Sequence, residues 1–494
     1  MYEIIYTIII KLKLRIYMGK DISKQKKLIL NTLILGLGVF GSKLLVFLMM
    51  PLYTGILSPA EYSAADLISQ TANLLMPLAC IGITDGVFRF AMDKEADKRQ
   101  VLSSGLAVLM LAGLVFLALS PLIGFIDYFS DHVWLIAAYV ISANIHALCA
   151  QYVRARDKTK LFALQGVINT ALVIVLNILF LVVFKMGVTG YVLSVVVADV
   201  GVTVFLVFAG KLYNDIRFSA VRGKLIKDLL KYSIPMIPAT IFWWITSVSD
   251  RYMVTYFSGE AENGLYSAAY KIPTILTLVS TVFMEAWQYS AVSDTDAAGK
   301  SISRESVDFF GKVFSHFQSI MYLAGSGIIA FSQIFIIILC ADSYFEAWRF
   351  IPVLTLASVF SAFTSFAGSV YLVKKKSMLT LLTSMSGAVI NIVLNLLLIP
   401  KIGAQGAAIA TAVSYLAVFV IRAVNARRYV PFALSLPRML ASIAILTAQT
   451  AAMLLFEEYI ILTQGISLAL ICAINLVPLA KGTLGMLKNR RKAK

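Results

Sequence analysis

Residues 161–184 read LFALQGVINTALVIVLNILFLVVF, and after a three-residue gap residues 188–210 continue as VTGYVLSVVVADVGVTVFLVFAG. Each run exceeds 20 residues and the pair holds a single charge, Asp199, which suits helices that cross about 30 Å of hydrocarbon. Open strands are excluded in lipid, because their edge groups would lack hydrogen-bond partners. The stretch therefore predicts two membrane-spanning helices joined by a tight turn.

The same pattern extends along the whole chain, which is 60% hydrophobic and 14% charged. It predicts an all-α polytopic membrane protein with 14 transmembrane helices. The predicted spans are 28–50, 62–87, 101–126, 132–152, 161–184, 188–210, 232–257, 264–292, 312–340, 345–373, 378–399, 403–424, 438–456 and 458–480.

Basic residues alternate between the gaps that separate these spans. Of 43 Lys and Arg residues, 37 lie in one alternating set of gaps or on the span ends that border them, two (Lys185 and Lys401) lie in the other set, and four lie further inside spans. The positive-inside rule then predicts a multi-pass protein of the cell membrane with both termini in the cytoplasm. The net charge of +17 is explained by topology and by contact with membrane lipids, so we expect no nucleic-acid partner.

The gaps on the outer side are too short to hold a catalytic domain, and the chain contains no P-loop, HExxH or glycine-rich nucleotide motif. The four cysteines lie in apolar stretches without metal spacing. We therefore expect a transporter rather than an enzyme, with no cofactor and no metal. The first ten residues are apolar but lack the basic region of a signal peptide, and Met18 is an equally good candidate for the start.

Three short motifs recur six spans apart and predict two related halves in the same orientation. They are Tyr-Ser-Ala-Ala at 62–65 and 266–269, Val-Leu-Asn at 175–177 and 393–395, and Lys-x-Gly-x-x-Gly at 185–190 and 401–406. Parallel repeats with a site at their interface are a transporter architecture. The predicted divisions are a basic N-terminus at 1–27, an N-lobe at 28–210, a linker at 211–231, a C-lobe at 232–424, two additional helices at 438–480 and a basic tail at 481–494.

Charged residues inside the predicted spans concentrate on the first two helices of each half. A charge in the bilayer costs about 2.5–3.5 kcal/mol on insertion scales, so it indicates function. Cations at these positions suit an anionic, phosphorylated substrate, because Arg binds phosphate in bidentate fashion and Lys as a point charge. The alternative is internal pairing, for example of Lys43 with Asp66 or of Lys271 with Asp250. The candidate substrate-binding charges are Lys43, Arg89, Asp250, Arg251 and Lys271.

Two aromatic residues and two carboxylates complete the predicted site. Tyr270 and Trp287 flank the charges and are candidates for stacking on sugar rings, although Tyr and Trp also belong at membrane interfaces. Because the chain has no nucleotide motif, transport must use an ion gradient, the membrane potential or consumption of product. Asp199 and Glu285 are the candidate ion-coupling residues, and the alternative is that each neutralises a neighbouring cation.

Several stretches resemble the polysaccharide biosynthesis flippases, over about residues 28 to 424. The second position of the usual Tyr-Gly after the first outer gap is Ser63 here, which is a mild departure. The stretches that carry the resemblance are 31–43 (NTLILGLGVFGSK), 51–62 (PLYTGILSPAEY), 82–90 (GITDGVFRF), 249–252 (SDRY) and 264–273 (GLYSAAYKIP).

The resemblance implies two six-helix lobes in a V shape, followed by two C-terminal helices, with spans one, two, seven and eight lining the cavity. It also implies a polyprenyl-pyrophosphate-linked oligosaccharide as the substrate, moved from the inner to the outer leaflet for capsule, exopolysaccharide or wall polymer synthesis. A polysaccharide polymerase and glycosyltransferases are then possible partners. The flippases belong to the multidrug/oligosaccharidyl-lipid/polysaccharide exporter superfamily, so a cation-coupled multidrug exporter is the main alternative. A membrane glycosyltransferase or polymerase is a weaker one, which the short outer gaps oppose.

Overall fold

The structure is a computed structural model that describes residues 47–93, 95–297, 304–374 and 376–492. Helices dominate these residues and no strand occurs among them, which confirms the all-α class. The predicted first span and Lys43 lie almost wholly outside the described residues.

The first half of the described chain is a succession of helices joined by short turns. Its helices are α1 (Met50–Ile56), α2 (Pro59–Ala79), α3 (Ile83–Ala91), α4 (Lys98–Leu119), α5 (Val133–Ala155), α6 (Thr159–Asn177) and α7 (Gly187–Ala209). A short amphipathic helix, α8 (Gly223–Ser233), follows in the basic segment that the sequence predicts as a linker.

The second half of the described chain consists of nine further α-helices. Its helices are α9 (Ile237–Ser258), α10 (Glu260–Lys271), α11 (Thr274–Ala297), α12 (Arg304–Ala330), α13 (Ser332–Leu339), α14 (Ile351–Val373), α15 (Ser377–Ala426), α16 (Leu436–Leu455) and α17 (Ile460–Lys492).

Within the described residues, eight helical segments are long and apolar enough to cross a membrane, or up to ten if each of two bent helix pairs forms one span. Helix α15 contains 50 residues, which at about 1.5 Å per residue is far longer than the hydrocarbon thickness. Ile402 and Gly403 have non-helical backbone angles, so α15 is two helices that meet at a kink. This kink lies between the predicted spans 378–399 and 403–424.

The second predicted span, 62–87, is broken in the structure. Helices α2 and α3 meet at an angle of 60°. Pro77 removes a backbone donor near the end of α2, and Ile81 and Gly82 have φ values of +53° and +62°. The predicted span 62–87 therefore consists of two helices, because a proline followed by two left-handed residues ends the first one.

The Lys-x-Gly-x-x-Gly turns of the two halves share a glycine with left-handed backbone angles. Gly187 and Gly403 have φ values of +55° and +59°, a region that favours glycine. The paired asparagines Asn177 and Asn395 are 218 positions apart and these glycines only 216, so the first half has two extra residues between them. A π-helical segment at Ile178–Val183 lies in that interval and absorbs the insertion.

Candidate functional site: a charge cluster between the two halves

Helices α2 and α10 bring the two halves of the chain into direct contact. A Cβ atom on Gly264 would lie 1.8 Å from the carbonyl oxygen of Pro59, so only glycine lets these backbones approach. Beside it, Asn263 Nδ2 donates to Ser63 Oγ at 2.8 Å. The two copies of the Tyr-Ser-Ala-Ala motif therefore lie on helices that pack against each other.

A buried ion pair crosses this contact. Arg251 Nη1 on α9 donates to Asp66 Oδ2 on α2 at 2.5 Å, and both side chains are 5% exposed. Lys271 Nζ lies 3.8 Å from Asp66 Oδ1 and is 33% exposed. Ser267 Oγ donates to Asp66 at 3.1 Å, and the Arg251 guanidinium lies 4.9 Å from the centre of the Tyr270 ring. One carboxylate of the first half is thus held by two cations of the second.

Asp250 belongs to the same cluster but is held within the second half. Its Oδ2 accepts from the Tyr266 hydroxyl at 2.6 Å and from Thr411 at 3.3 Å, and its Oδ1 accepts from the backbone N–H of Arg251 at 2.9 Å. The pairing of Lys271 with Asp250 considered from the sequence does not occur, because Lys271 reaches Asp66 instead. Among the described residues, the cluster's two cations are therefore balanced by two carboxylates.

Further hydrogen bonds connect the two halves beside the charge cluster. We refer to these bonds and the charge cluster together as the interhalf contact. They join α1 and α2 to the second half: Tyr344 Oη to Leu57 O at 2.9 Å, Ala341 N to Thr54 Oγ1 at 3.1 Å, Tyr252 Oη with Thr71 Oγ1 at 2.7 Å, and Trp244 Nε1 to Gln70 O at 3.1 Å. They lie beside an apolar part of the same contact, in which Met50, Leu57 and Tyr62 share a buried core with residues of the second half.

The other predicted site residues lie away from the charge cluster or outside the described part of the chain. Arg89 is exposed near the end of α3, away from the interhalf contact. Trp287 is 4% exposed and its ring stacks on Phe366 with centroids 5.0 Å apart, so aromatic packing accounts for its burial. Glu285 lies on α11, but its side chain is not among those described, and Lys43 precedes the described residues.

Asp199 lies in a separate polar network between α5, α6 and α7. Its Oδ1 is 2.8 Å from His146 Nδ1 and accepts from Asn169 Nδ2 at 3.2 Å. His146 Nε2 lies 2.8 Å from Gln165 Oε1. With Gln165 placed this way, both ring nitrogens of His146 face acceptors, an arrangement that suits the protonated imidazole. Sequence reasoning identified Asp199 but not His146 as its partner.

Comparison with known protein families shows to which family the chain belongs. Residues 28–287 match the model of the family described as polysaccharide biosynthesis protein. The chain belongs to the polysaccharide biosynthesis protein family. This confirms the resemblance drawn from the sequence, and it supports a membrane transporter rather than an enzyme. No curated protein matches the chain by sequence.

Solved structures show the fold that this family member adopts. The lipid II flippase MurJ, in an inward closed conformation, matches with a TM-score of 0.68 at 14% identity, over 91% of this chain and 100% of that one. An inward-facing multidrug resistance MATE family transporter of the MOP superfamily matches with a TM-score of 0.58 at 15% identity, over 85% and 97%. A MOP superfamily transporter from Pyrococcus furiosus matches with 0.56 at 13%, over 81% and 95%. The chain thus has the MurJ and MATE fold.

Arg422 of this family member is a buried cation whose surroundings the sequence did not predict. It lies at the end of the predicted span 403–424 and was counted with the basic gap that follows, but it is only 8% exposed. It donates to Thr383 Oγ1 at 2.9 Å, to Ser384 Oγ at 3.0 Å and to the carbonyl oxygen of Thr364 at 3.2 Å. Neutral oxygens from α14 and α15 thus surround its charge, an arrangement that charge counting along the sequence does not reveal.

Proposed function

We propose that this protein is a flippase that moves a polyprenyl-pyrophosphate-linked oligosaccharide from the inner to the outer leaflet of the cell membrane, for capsule, exopolysaccharide or wall polymer synthesis. The observation that carries the proposal is the cluster of Asp66, Arg251 and Lys271 between the halves. A pyrophosphate has the charge and geometry to replace Asp66 as the partner of both cations. Family membership and the MurJ-like fold support the same class of substrate.

Exchange of the Asp66 carboxylate for the pyrophosphate of the substrate links substrate binding to the movement of the two halves. Lys271 is one-third exposed and can receive an anion first, whereas Arg251 is enclosed and can receive it only as Asp66 withdraws. Because Asp66 and the two cations belong to different halves, exchange of the carboxylate for substrate releases the interhalf contact. A ligand drives a conformational change only through such a difference in affinity between states. The result is alternating access, with the interhalf contact acting as a gate.

We further propose the complete architecture that the sequence predicts. It comprises 14 transmembrane helices, with an N-lobe at 28–210 and a C-lobe at 232–424 arranged in a V shape, followed by the two helices at 438–480. The distribution of basic residues supports cytoplasmic termini and a cytoplasmic linker at 211–231. With this orientation, the gate at α2 and α10 lies toward the outer face of the membrane.

The proposed flippase function can be tested by measuring the flipping rate of a Lys271→Ala variant in reconstituted vesicles. We expect the rate for labelled polyprenyl-pyrophosphate-linked oligosaccharide to fall roughly tenfold to a hundredfold, because a charge-assisted hydrogen bond contributes about 1.5–3 kcal/mol. Lys224→Ala, which removes an exposed lysine on α8, is the matched control and should flip at the wild-type rate. Wild-type vesicles that move a cationic dye but no lipid-linked sugar would instead favour the multidrug exporter.

Energy coupling is a second proposal, and Asp199 with His146 is the candidate site. A buried carboxylate and imidazole can share a proton whose release changes the charge balance within the first half. We expect Asp199→Asn and His146→Gln to reduce gradient-driven flipping to the rate measured without a gradient. Asp228→Asn, which alters an exposed carboxylate on α8, should retain the gradient effect. Glu285→Gln is tested in parallel, and loss of coupling only in that variant would move the site to α11.

A further inference from the structure

A polar cavity of about 300 Å³ lies between α11 and α14. Six of its eight lining residues carry hydroxyl groups. Its volume is at the lower end of the range for small-molecule sites. The lining residues are Thr277, Ser280, Thr281, Met284, Ser358, Ser361, Ala362 and Ser365. We call this the hydroxyl pocket.

The hydroxyl pocket differs from the other grooves of the helix bundle. A larger groove of about 540 Å³ in the first half, beside Leu78, Leu111 and Phe116, is lined by apolar residues throughout. Another, of about 210 Å³ along α4, is lined by aliphatic side chains and Gly113. Grooves of that kind suit acyl chains, because lipid tails offer no hydrogen bonds. A lipid tail in the hydroxyl pocket would leave polar groups without partners.

Three hydroxyl groups of this pocket make no hydrogen bond with any described residue: those of Thr277, Ser280 and Ser358. Ser280 is only 5% exposed, yet it lines the cavity. Ser and Thr in membrane helices commonly bond to the carbonyl group one turn back, as Thr281 does to Thr277 O at 2.8 Å. The unbonded hydroxyls instead remain available to a ligand or to water.

The hydroxyl pocket lies next to the charge cluster along the chain. Helix α11 begins at Thr274, three residues after Lys271 at the end of α10, so Thr277 lies in the first turn of the helix that follows the charge cluster. On the opposite wall, Thr364, which follows Ser361 on α14, donates from its hydroxyl group to the carbonyl oxygen of Tyr415 at 3.1 Å. A molecule whose phosphates contact Lys271 and Arg251 can therefore extend into the pocket.

We propose that the hydroxyl pocket binds the first sugar units of the lipid-linked substrate and discriminates glycosylated from sugar-free carrier lipid. This inference rests on the proposed function and adds the sugar-binding residues. Sugars present closely spaced hydroxyl groups that donate and accept, and Ser and Thr hydroxyls match them in both roles. A site that hydrogen-bonds a substrate hydroxyl group also rejects analogues that lack it, because its own polar groups are then left unpaired.

The test compares binding of two probes to purified protein in nanodiscs. One is synthetic polyprenyl pyrophosphate without sugar, and the other is the lipid-linked oligosaccharide fraction extracted from the membranes of the source cells. We expect wild type to bind the glycosylated probe more tightly. A Thr277→Val, Ser280→Ala, Ser358→Ala triple variant should lose about tenfold or more of that affinity while binding the sugar-free probe as wild type does.

Lys271→Ala and Thr463→Val are the two reference variants. Lys271→Ala should weaken binding of both probes, because both carry pyrophosphate. Thr463→Val on α17, which removes a hydroxyl group bonded to the carbonyl oxygen of Ile460 in the same helix, should change neither. The inference is overturned if wild type shows no preference for the glycosylated probe or if the triple variant keeps that preference. Failure of wild type to bind either probe overturns the proposed function itself.

A labelling experiment supplies a second measurement that does not depend on the triple variant folding. Thr281→Cys places a thiol at an exposed position of the hydroxyl pocket. A water-soluble maleimide should label it, and the glycosylated probe should slow labelling severalfold while the sugar-free probe does not. Equal labelling rates with the two probes would contradict occupation of the pocket by sugar.

Discussion

A Gly264→Ala variant should be unable to close the contact between α2 and α10 and should lose flipping almost completely. The added Cβ atom would lie 1.8 Å from the backbone oxygen of Pro59, so one of the two helices must move. Overpacking of this kind costs about 1–3 kcal/mol and occasionally more. Because the cost falls only on the closed state, it shifts the conformational equilibrium toward the open state by roughly ten- to a hundredfold.

Two measurements distinguish this effect from misfolding. A cysteine introduced at Ser63, which is fully buried in the interhalf contact, should become accessible to an impermeant maleimide in Gly264→Ala but not in wild type. Gly327→Ala is the matched control, because a Cβ atom at that glycine meets nothing within 4 Å. Normal flipping by Gly264→Ala, or an inaccessible cysteine, would contradict the assignment of this contact as a gate.

Replacing Arg251 with alanine is expected to abolish flipping and to destabilise the protein by about 3–5 kcal/mol, because the buried carboxylate of Asp66 loses its main partner. An Arg251→Ala, Asp66→Ala double variant should recover part of the stability, since the buried carboxylate of Asp66 is removed together with its partner and Asp250 keeps its hydrogen bonds to Tyr266 and Thr411. It should not recover flipping, because the cation that binds pyrophosphate is still missing. Arg251→Lys should retain only partial activity, since lysine lacks the bidentate geometry of the guanidinium.

Thermal unfolding and vesicle flipping, measured on the same four proteins, separate a structural role from a binding role. If the double variant recovers both stability and flipping, the pair is structural and pyrophosphate binds elsewhere. A second comparison uses Arg349→Ala, which removes a cation that is 53% exposed and paired with Glu346 on the surface. Exposed ion pairs contribute at most about 1 kcal/mol, so this variant should resemble wild type in both measurements.

The membrane class and the positions of the helices follow from the sequence because both depend mainly on the hydrophobicity of each stretch of chain. Long apolar runs such as 161–184 must be helical in lipid, whatever they pack against. The same reasoning placed Asp250, Arg251, Tyr270 and Lys271 near one another, since charges in the bilayer collect where a polar site exists. The structure does bring these four residues together.

Which side chains contact each other could not be predicted in this way, because these contacts depend on how each helix is rotated about its axis. A rotation of one residue, about 100° on an α-helix, decides whether Arg251 faces Asp66 or lipid. The same variable directs Trp287 into an aromatic core and encloses Arg422 among neutral oxygens. The break between α2 and α3 was also missed, although Pro77 and Gly82 signal it in the sequence.

The sequence by itself therefore determined an all-helical membrane protein, and it predicted an internal repeat with charges concentrated on equivalent helices. These properties depend on local hydrophobicity and on composition, which act residue by residue. Only the tertiary structure decided that Asp66 joins two cations across the halves, that His146 accompanies Asp199, and that Ser280 faces a cavity. Each of these depends on contacts between residues distant in the chain, and such contacts are fixed only when the helices pack.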